Sequence, residues 1–173
     1  MSPINLVGDM GQAVQISIHA PSHYICTNCE HILPDWKQQP FFWVVIVLQR
    51  SQYHLVKSTK EVESEKQRLR EKFMRFGFDV AFDLRDRGYL ADLIDPRTGY
   101  PLLSRPGAMP HNDTAVVKAL LGYKVIKNKC CMLVHPIWGT AVYPSVLIST
   151  APPTLIEFVT KEVGCKHGWE KKV

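Results

Sequence analysis

The clearest hydrophobic pattern in the chain predicts a long helix between residues 58 and 88. Ser58 and Glu61 have the spacing of a capping box, which favours helix initiation at this point. Apolar side chains then recur at three- and four-residue steps and form one stripe: Leu69, Phe73, Phe76, Val80 and Leu84. Gly88 follows where a left-handed cap would end the helix. The opposite, basic face is predicted to lie in solvent: Lys66, Arg68, Arg70, Lys72 and Arg75.

Extended segments precede this helix. Phe41–Leu48 is a continuous run of β-branched and aromatic residues, which predicts a central strand buried on both faces. Gln52–Val56 is a candidate hairpin partner for that strand. Within residues 1–20, weak alternation of apolar side chains predicts one short strand: Val14, Ile16 and Ile18.

Further strands and helices follow the long helix. Tyr89–Ile94 and Tyr100–Leu103 flank a Pro- and Gly-containing turn and are interpreted as a hairpin. A short helix capped by Asn112 or Asp113 is predicted to end at Gly122.

The last third of the chain is extended before it becomes helical again. Cys130–His135 and Thr140–Ser149 are predicted to be extended, with a bend at Trp138-Gly139. Pro152 and Pro153 are expected to open a final amphipathic helix.

Strands around one dominant helix indicate an α+β fold, a mixed or antiparallel sheet packed against a long helix. A chain of 173 residues can bury one adequate core and is expected to form one domain. We expect a flexible or partly ordered segment over residues 1–40, the domain over residues 41–165 and a loose tail over residues 166–173.

Composition narrows the classes of function. Hydrophobic content of 46% and charged content of 21% are ordinary for a folded soluble protein, and no apolar run is long enough to cross a bilayer. The net charge of +5 is spread along a helix and a tail, which disfavours nucleic-acid binding and suits an acidic protein partner. Five unevenly spaced cysteines indicate free thiols in a reducing compartment.

The adjacent pair Cys130-Cys131 is the main chemical feature of the sequence. Lys127 and Lys129 precede it, and neighbouring cations stabilise the thiolate, the form of cysteine that binds metals. The alternative interpretation is that both are small hydrophobic residues in a strand. A disulfide within the pair is disfavoured, because neighbouring Cα atoms lie about 3.8 Å apart and disulfides need about 4.4 Å or more.

Other cysteine and histidine residues give weaker signals. Cys26 and Cys29 form a CxxC motif in a segment predicted to be irregular, and with Cys130-Cys131 they could complete a zinc site. We favour the interpretation that they attach a loop to the core. His135 is a candidate base or ligand, although a satisfied core histidine is the commoner case. The sequence contains no phosphate-binding glycine loop, GxSxG elbow or HExxH motif.

Two stretches together resemble the methylmalonic aciduria and homocystinuria type D protein (CblD) family. The first is Tyr89–Gly99, with the sequence YLADLIDPRTG, and the second runs from Cys130-Cys131 through Trp138–Val142. The similarity extends from about Phe41 to Val163 in the same order and with similar spacing.

The resemblance implies a non-enzymatic adaptor in intracellular cobalamin trafficking. It implies a fold similar to flavin-dependent nitroreductases, no cofactor bound alone, and docking on a CblC-type cobalamin chaperone. Cys130 would give a thiolate ligand to the cobalt of partner-held cobalamin, framed by Asn128, Lys129, Cys131 and Trp138. The cargo would reach methionine synthase in the cytoplasm and methylmalonyl-CoA mutase in mitochondria. No mitochondrial leader is visible in this sequence, so we expect a cytoplasmic protein, with a mitochondrial form as the alternative.

Two questions stay open at this level. Because successive strand residues point to opposite faces, only one of Cys130 and Cys131 should face a partner, and an exposed Lys129 within the strand would favour Cys131. The alternative function is a flavin- or thiol-dependent oxidoreductase, since a fold of this type hosts such enzymes and fold does not determine function.

Overall fold

The computed structural model describes residues 2–127 and 131–172, which form an α+β fold, as the sequence predicted. The strands are β1 (Ile4–Val7), β2 (Ala13–His19), β3 (Trp43–Arg50), β4 (Ala91–Ile94), β5 (Lys124–Lys127), β6 (Cys131–Val134), β7 (Val142–Ser149) and β8 (Glu170–Lys171). The helices are α1 (His23–Ile32), α2 (Lys60–Asp86), α3 (Asp113–Leu121) and α4 (Pro153–Lys166).

Six strands form the main sheet in the order β4-β7-β3-β2-β1-β8, and β5 and β6 form a separate two-stranded sheet. Neighbouring strands pair antiparallel throughout. The predicted hairpin partner Gln52–Val56 is wrong, because β3 lies between β2 and β7 and residues 52–56 form a loop. The bridge between Ile94 and Pro101 confirms the turn predicted after β4.

Helices cover both faces of the main sheet. On one face α2 and α4 pack over Val45 and Val47, and on the other α1 and α3 pack over Val44, Ile46 and Leu48. Because strand side chains alternate between faces, one continuous apolar run of β3 supplies both cores. The predicted buried central strand is therefore confirmed, and helices lie on both faces of the sheet and not on one.

The predicted amphipathic helix corresponds to α2. Each residue of its apolar stripe is at most 2% exposed: Leu69, Phe73, Phe76, Val80 and Leu84. The N-cap is Thr59 and not Ser58, and its hydroxyl accepts a hydrogen bond from the Val62 N–H at 3.2 Å. Gly88 follows the helix with φ of +90°, which confirms the predicted stop.

The basic face of α2 differs from the prediction at two arginines. Arg68 binds the buried carboxylate of Glu65 with two nitrogens, each at 2.7 Å. Arg70 binds Asp95 in the same bidentate manner, at 2.8 and 2.7 Å. These two side chains are therefore structural parts of the domain and do not simply face solvent.

The amino-terminal region contributes directly to the main sheet. Residues 2–40, expected to be flexible or partly ordered, contain β1, β2 and α1, and β2 lies inside the sheet. The segment around Cys26 and Cys29, predicted to be irregular, is helix α1. Ser22 caps it by accepting the Ile25 N–H at 3.3 Å.

The carboxyl-terminal region is attached through a tryptophan. Residues 166–172, expected to form a loose tail, include β8, which pairs with β1. Trp169 is 3% exposed and its ring lies 4.5 Å from the ring of Phe76, between centroids. Burial of this large side chain ties the segment to the sheet.

Candidate functional site

Cys131, the second residue of the cysteine pair, lies where the two-stranded sheet meets a cleft. Asn128, Lys129 and Cys130 are outside the described residues. Cys131 is exposed and is opposite Lys127 in the β5–β6 ladder. Within β6, Cys131 shares a face with Leu133, which is buried in the core against α3 and β7. The Cys131 thiol is thus at the rim of the cleft that this face lines.

The cleft has a volume of about 400 Å³, and most of its lining comes from four separate parts of the chain, with Leu55 and Lys66 completing it. Its walls are the turn at residues 96–99, the start of α3 with the residues before it, the start of β6 and the start of β7. Glycine at position 99 allows the first two walls to touch, because a Cβ there would lie 2.4 Å from the His111 carbonyl oxygen. The cleft is therefore a product of tertiary packing.

A histidine–aspartate pair belongs to the polar lining of the cleft. His111 Nδ1 and Asp113 Oδ1 are 2.9 Å apart, and their side chains are 1% and 11% exposed. His111 Nε2 and Asp113 Oδ2 are buried and have no hydrogen-bond partner within the described residues. Burial raises the pKa of Asp113, and burial together with Asp113 raises the pKa of Tyr143. The cleft thus holds hydrogen-bonding groups beside the Cys131 thiol.

A buried ion pair fixes the turn that forms one wall. Asp95 binds Arg70 through both oxygens, and its Oδ1 also accepts the Arg97 N–H at 2.9 Å. Hydrogen bonding to Arg70 is the main cause that lowers the pKa of Asp95. The turn is therefore attached to α2 by a charged contact with defined geometry.

His135 has a structural role, which agrees with the commoner of the two interpretations. Its Nε2 lies 2.8 Å from Gln15 Oε1, and its Nδ1 accepts the N–H groups of Ile137 and Trp138 at 3.1 Å each. The ring stacks on Trp138 at 4.0 Å between centroids. Both ring nitrogens are thus occupied, so this histidine is not available as a base or ligand.

The protonation state of His135 should appear in the stability of the protein. Burial, with a smaller effect of Arg50, lowers its pKa, so the unfolded chain binds this proton more readily than the folded protein does. Its contribution to stability is present above the unfolded pKa of about 6.5 and is lost as the pH falls below it. His135→Asn should lower the free energy of unfolding by about 1–2 kcal/mol at neutral pH. Urea unfolding should show this deficit shrinking between about pH 7.5 and pH 5.5; a deficit that stays constant with pH would contradict this assignment.

Trp138, expected to frame the cysteine site, is 7% exposed and packs in the core with Leu133. Trp138 therefore supports β6 from the core and stacks on the ring of His135.

The CxxC residues lie in α1, away from the cleft lining. Cys29 is buried and Cys26 is exposed, and burial followed by the effect of Cys26 raises the pKa of Cys29. Cys29 therefore packs in the core as expected, whereas Cys26 does not, and the segment that holds them is a helix and not a loop. Within the described residues, no three His, Cys, Asp or Glu side chains are grouped so that they could hold a metal ion.

Sequence reasoning missed the His111–Asp113 pair. Local signals for Asn112 and Asp113 as helix caps were visible, but their approach to β6 and to Tyr143 depends on the tertiary fold. In the part of the chain that the structure describes, no helix has the length and apolarity needed to cross a membrane.

Comparison with known proteins shows which family this chain resembles. A family model described as methylmalonic aciduria and homocystinuria type D protein matches residues 8–160. The chain is 28% identical to the rat (Rattus norvegicus) cobalamin trafficking protein CblD over 144 residues, which is 80% of this chain and 47% of that protein. The human (Homo sapiens) CblD protein is 28% identical over 116 residues, which is 64% of this chain and 38% of that protein. The chicken (Gallus gallus) CblD protein is 27% identical over 146 residues, which is 81% of this chain and 47% of that protein.

The aligned region spans less than half the length of each of these relatives. The family model nevertheless covers most of this chain, including both sequence stretches that carry the resemblance. The protein belongs to the methylmalonic aciduria and homocystinuria type D protein family.

Proposed function

We propose that this protein is a non-enzymatic adaptor in intracellular cobalamin trafficking that docks on a CblC-type chaperone. The observation that carries the proposal is the family match over residues 8–160, together with relatives that are named cobalamin trafficking proteins. Cys131 is exposed and begins β6, at one end of the two-stranded sheet. An exposed thiol at the end of a small sheet suits contact with a partner.

The chemistry of the proposed contact is a bond from the Cys130 thiolate to the cobalt of cobalamin held by the chaperone. A thiolate is a soft ligand that suits a polarisable transition metal. Lys127 is exposed opposite Cys131, and Lys129 adjoins Cys130 in sequence; two cations this close to the pair would favour the thiolate form of Cys130. Asn128, Lys129 and Cys131 would frame this contact, and Trp138 would support β6 from the core.

The cleft beside Cys131 supports the view that cobalamin stays on the partner. Its volume of about 400 Å³ is at the low end for small-molecule sites, which span about 300–1,000 Å³. Such a cleft suits an edge or a side chain of a large cofactor and not the whole molecule. His111 and Asp113 line this cleft, but those of their atoms that have no hydrogen-bond partner within the described residues are buried. We therefore propose no cobalamin site on this chain alone.

The proposal includes delivery of the cofactor to methionine synthase and methylmalonyl-CoA mutase. The first delivery would be cytoplasmic and the second mitochondrial. It also includes a fold of the nitroreductase type, which is supported by the antiparallel sheet with a long helix against one face.

A titration of a cob(II)alamin-loaded CblC-type chaperone with the wild-type protein tests this function. We expect a new cobalt–sulfur absorption band and a changed electron paramagnetic resonance spectrum that saturate at a defined ratio of the two proteins. An unchanged spectrum at saturating protein would contradict cobalt ligation. Bound flavin in the purified protein would instead favour the oxidoreductase alternative.

A further inference from the structure

The outer edge of β5 is open. Its inner edge pairs with β6, from Lys124 opposite Val134 to Lys127 opposite Cys131. No backbone hydrogen bond joins residues 124–127 to any other strand or loop in the described part of the chain. Along β5, Val125 is half-buried and the other three residues are exposed. A row of free N–H and C=O groups on an exposed strand is a template for pairing with another chain.

The charged side chains of β5 itself are lysines. Lys124 and Lys127 are exposed on β5, and Lys118 is exposed on the neighbouring α3. From Thr114 to Ile156 the sequence contains four lysines and no aspartate or glutamate. The surface therefore attracts a segment that carries negative charge.

The same charges argue against pairing with a second copy of this chain. Two β5 strands paired antiparallel and centred on each other would place Lys124 of one copy opposite Lys127 of the other. Like charges directly opposite on neighbouring strands are destabilising. Lysines on an edge strand are a common means of preventing such self-association. An extended acidic segment from a different protein would pair with β5 without this repulsion between lysines.

The position of β5 relates this edge to the cysteine pair. Neighbouring strands lie about 4.8 Å apart, so a strand added to β5 would lie about 10 Å from Cys131, across one intervening strand. Strand addition obtains affinity from main-chain hydrogen bonds and specificity from side chains. A partner segment paired here would hold its bound cofactor close to the Cys131 thiol at one end of β6.

We propose that β5 is the docking strand of this protein and that it pairs with an extended acidic segment of the chaperone. This inference rests on the proposed function and identifies the partner chemistry at the same site. Docking along β5 sets the distance and orientation from which the cysteine thiolate reaches the cobalt.

Hydrogen–deuterium exchange and one charge reversal test the docking strand. In the complex with the cob(II)alamin-loaded chaperone, the amides of residues 124–127 should become protected, while those of β8 should not change. Lys124→Glu should weaken chaperone binding by about tenfold and reduce its dependence on salt. The matched control is Lys171→Glu, an exposed lysine on the edge strand β8, which should leave binding unchanged.

The outcomes separate this inference from the proposed function. Binding by the wild-type protein with unprotected β5 amides, and equal affinity of Lys124→Glu and wild type, would overturn the docking strand. The wild-type cobalt–sulfur spectrum would still decide the proposed function independently. Failure of the wild-type protein to bind the chaperone at all would overturn both.

Discussion

Replacement of Cys130 with serine is expected to abolish the cobalt–sulfur absorption band of the complex, whereas Cys131→Ser should retain most of it. A serine hydroxyl is a hard, weakly acidic donor and does not replace a thiolate on a polarisable metal. Cys131 lies on the face of β6 that contains the buried Leu133, at the rim of the cleft, so its loss should alter the surroundings of the ligand and not the ligand itself. Absorbance and electron paramagnetic resonance of the loaded chaperone measure both effects.

Each variant serves as the control for the other, because both replace one thiol by one hydroxyl in adjacent positions. Chaperone affinity should be measured alongside the spectra, so that loss of the band is separated from loss of docking. Equal bands from the two variants would contradict the assignment of Cys130. A band lost only in Cys131→Ser would identify Cys131 as the cobalt ligand. This is the cysteine that strand alternation favours if Lys129 is exposed within the strand.

Asp92→Ala is expected to have the largest effect on stability among the polar positions of the domain. The Asp92 side chain is buried and accepts the N–H groups of Leu93, Leu102 and Leu103 at 2.7, 3.2 and 2.9 Å, and the Ser104 hydroxyl at 2.6 Å. Alanine would leave several buried donors without their acceptor. We expect a loss of about 3 kcal/mol or more in the free energy of unfolding, measured by urea denaturation.

The matched control is Asp86→Ala, which removes an exposed carboxylate at the last residue of α2. Its effect should stay within about 0.5 kcal/mol. Asp92→Asn should be intermediate, because the amide keeps one accepting oxygen and loses the other. A loss below about 1 kcal/mol for Asp92→Ala would contradict the importance of this hydrogen-bond group.

The elements predicted well are those whose signals are local in sequence. The α2 stripe repeats over five buried positions, and Gly88 and Gly122 both adopt positive φ at helix ends. Asn112 caps α3 through a 3.0 Å bond from the Ala115 N–H, as one of the two predicted alternatives. Pro153 opens α4 as predicted. Each of these features depends on residues within one or two helical turns.

The elements predicted poorly depend on distant partners. Residues 52–56 follow β3 directly, but β3 pairs with β2 and β7, which leaves them no strand to join. β8 is only two residues long and exists through pairing with β1 at the other end of the chain. In α1, the three buried residues Ile25, Cys29 and Ile32 have helical spacing. The flanking prolines and polar residues favoured an irregular segment instead, so this helix was not predicted.

The same distinction applies to the site. The cysteine pair and its neighbouring lysines are contiguous and were identified from sequence. The cleft joins Arg97, His111 and Tyr143 with β6, and these positions come together only through tertiary packing of the turn after β4, α3 and β7. The open edge of β5 likewise depends on the separation of its two-stranded sheet from the main sheet.

X-ray absorption at the cobalt edge of the complex tests the central claim most directly, because it reports the atoms bound to the metal. With the wild-type protein and a cob(II)alamin-loaded CblC-type chaperone, we predict a sulfur atom in the first coordination sphere of cobalt, absent with Cys130→Ser. A cobalt environment without sulfur in a complex that is shown to be fully formed would contradict the account.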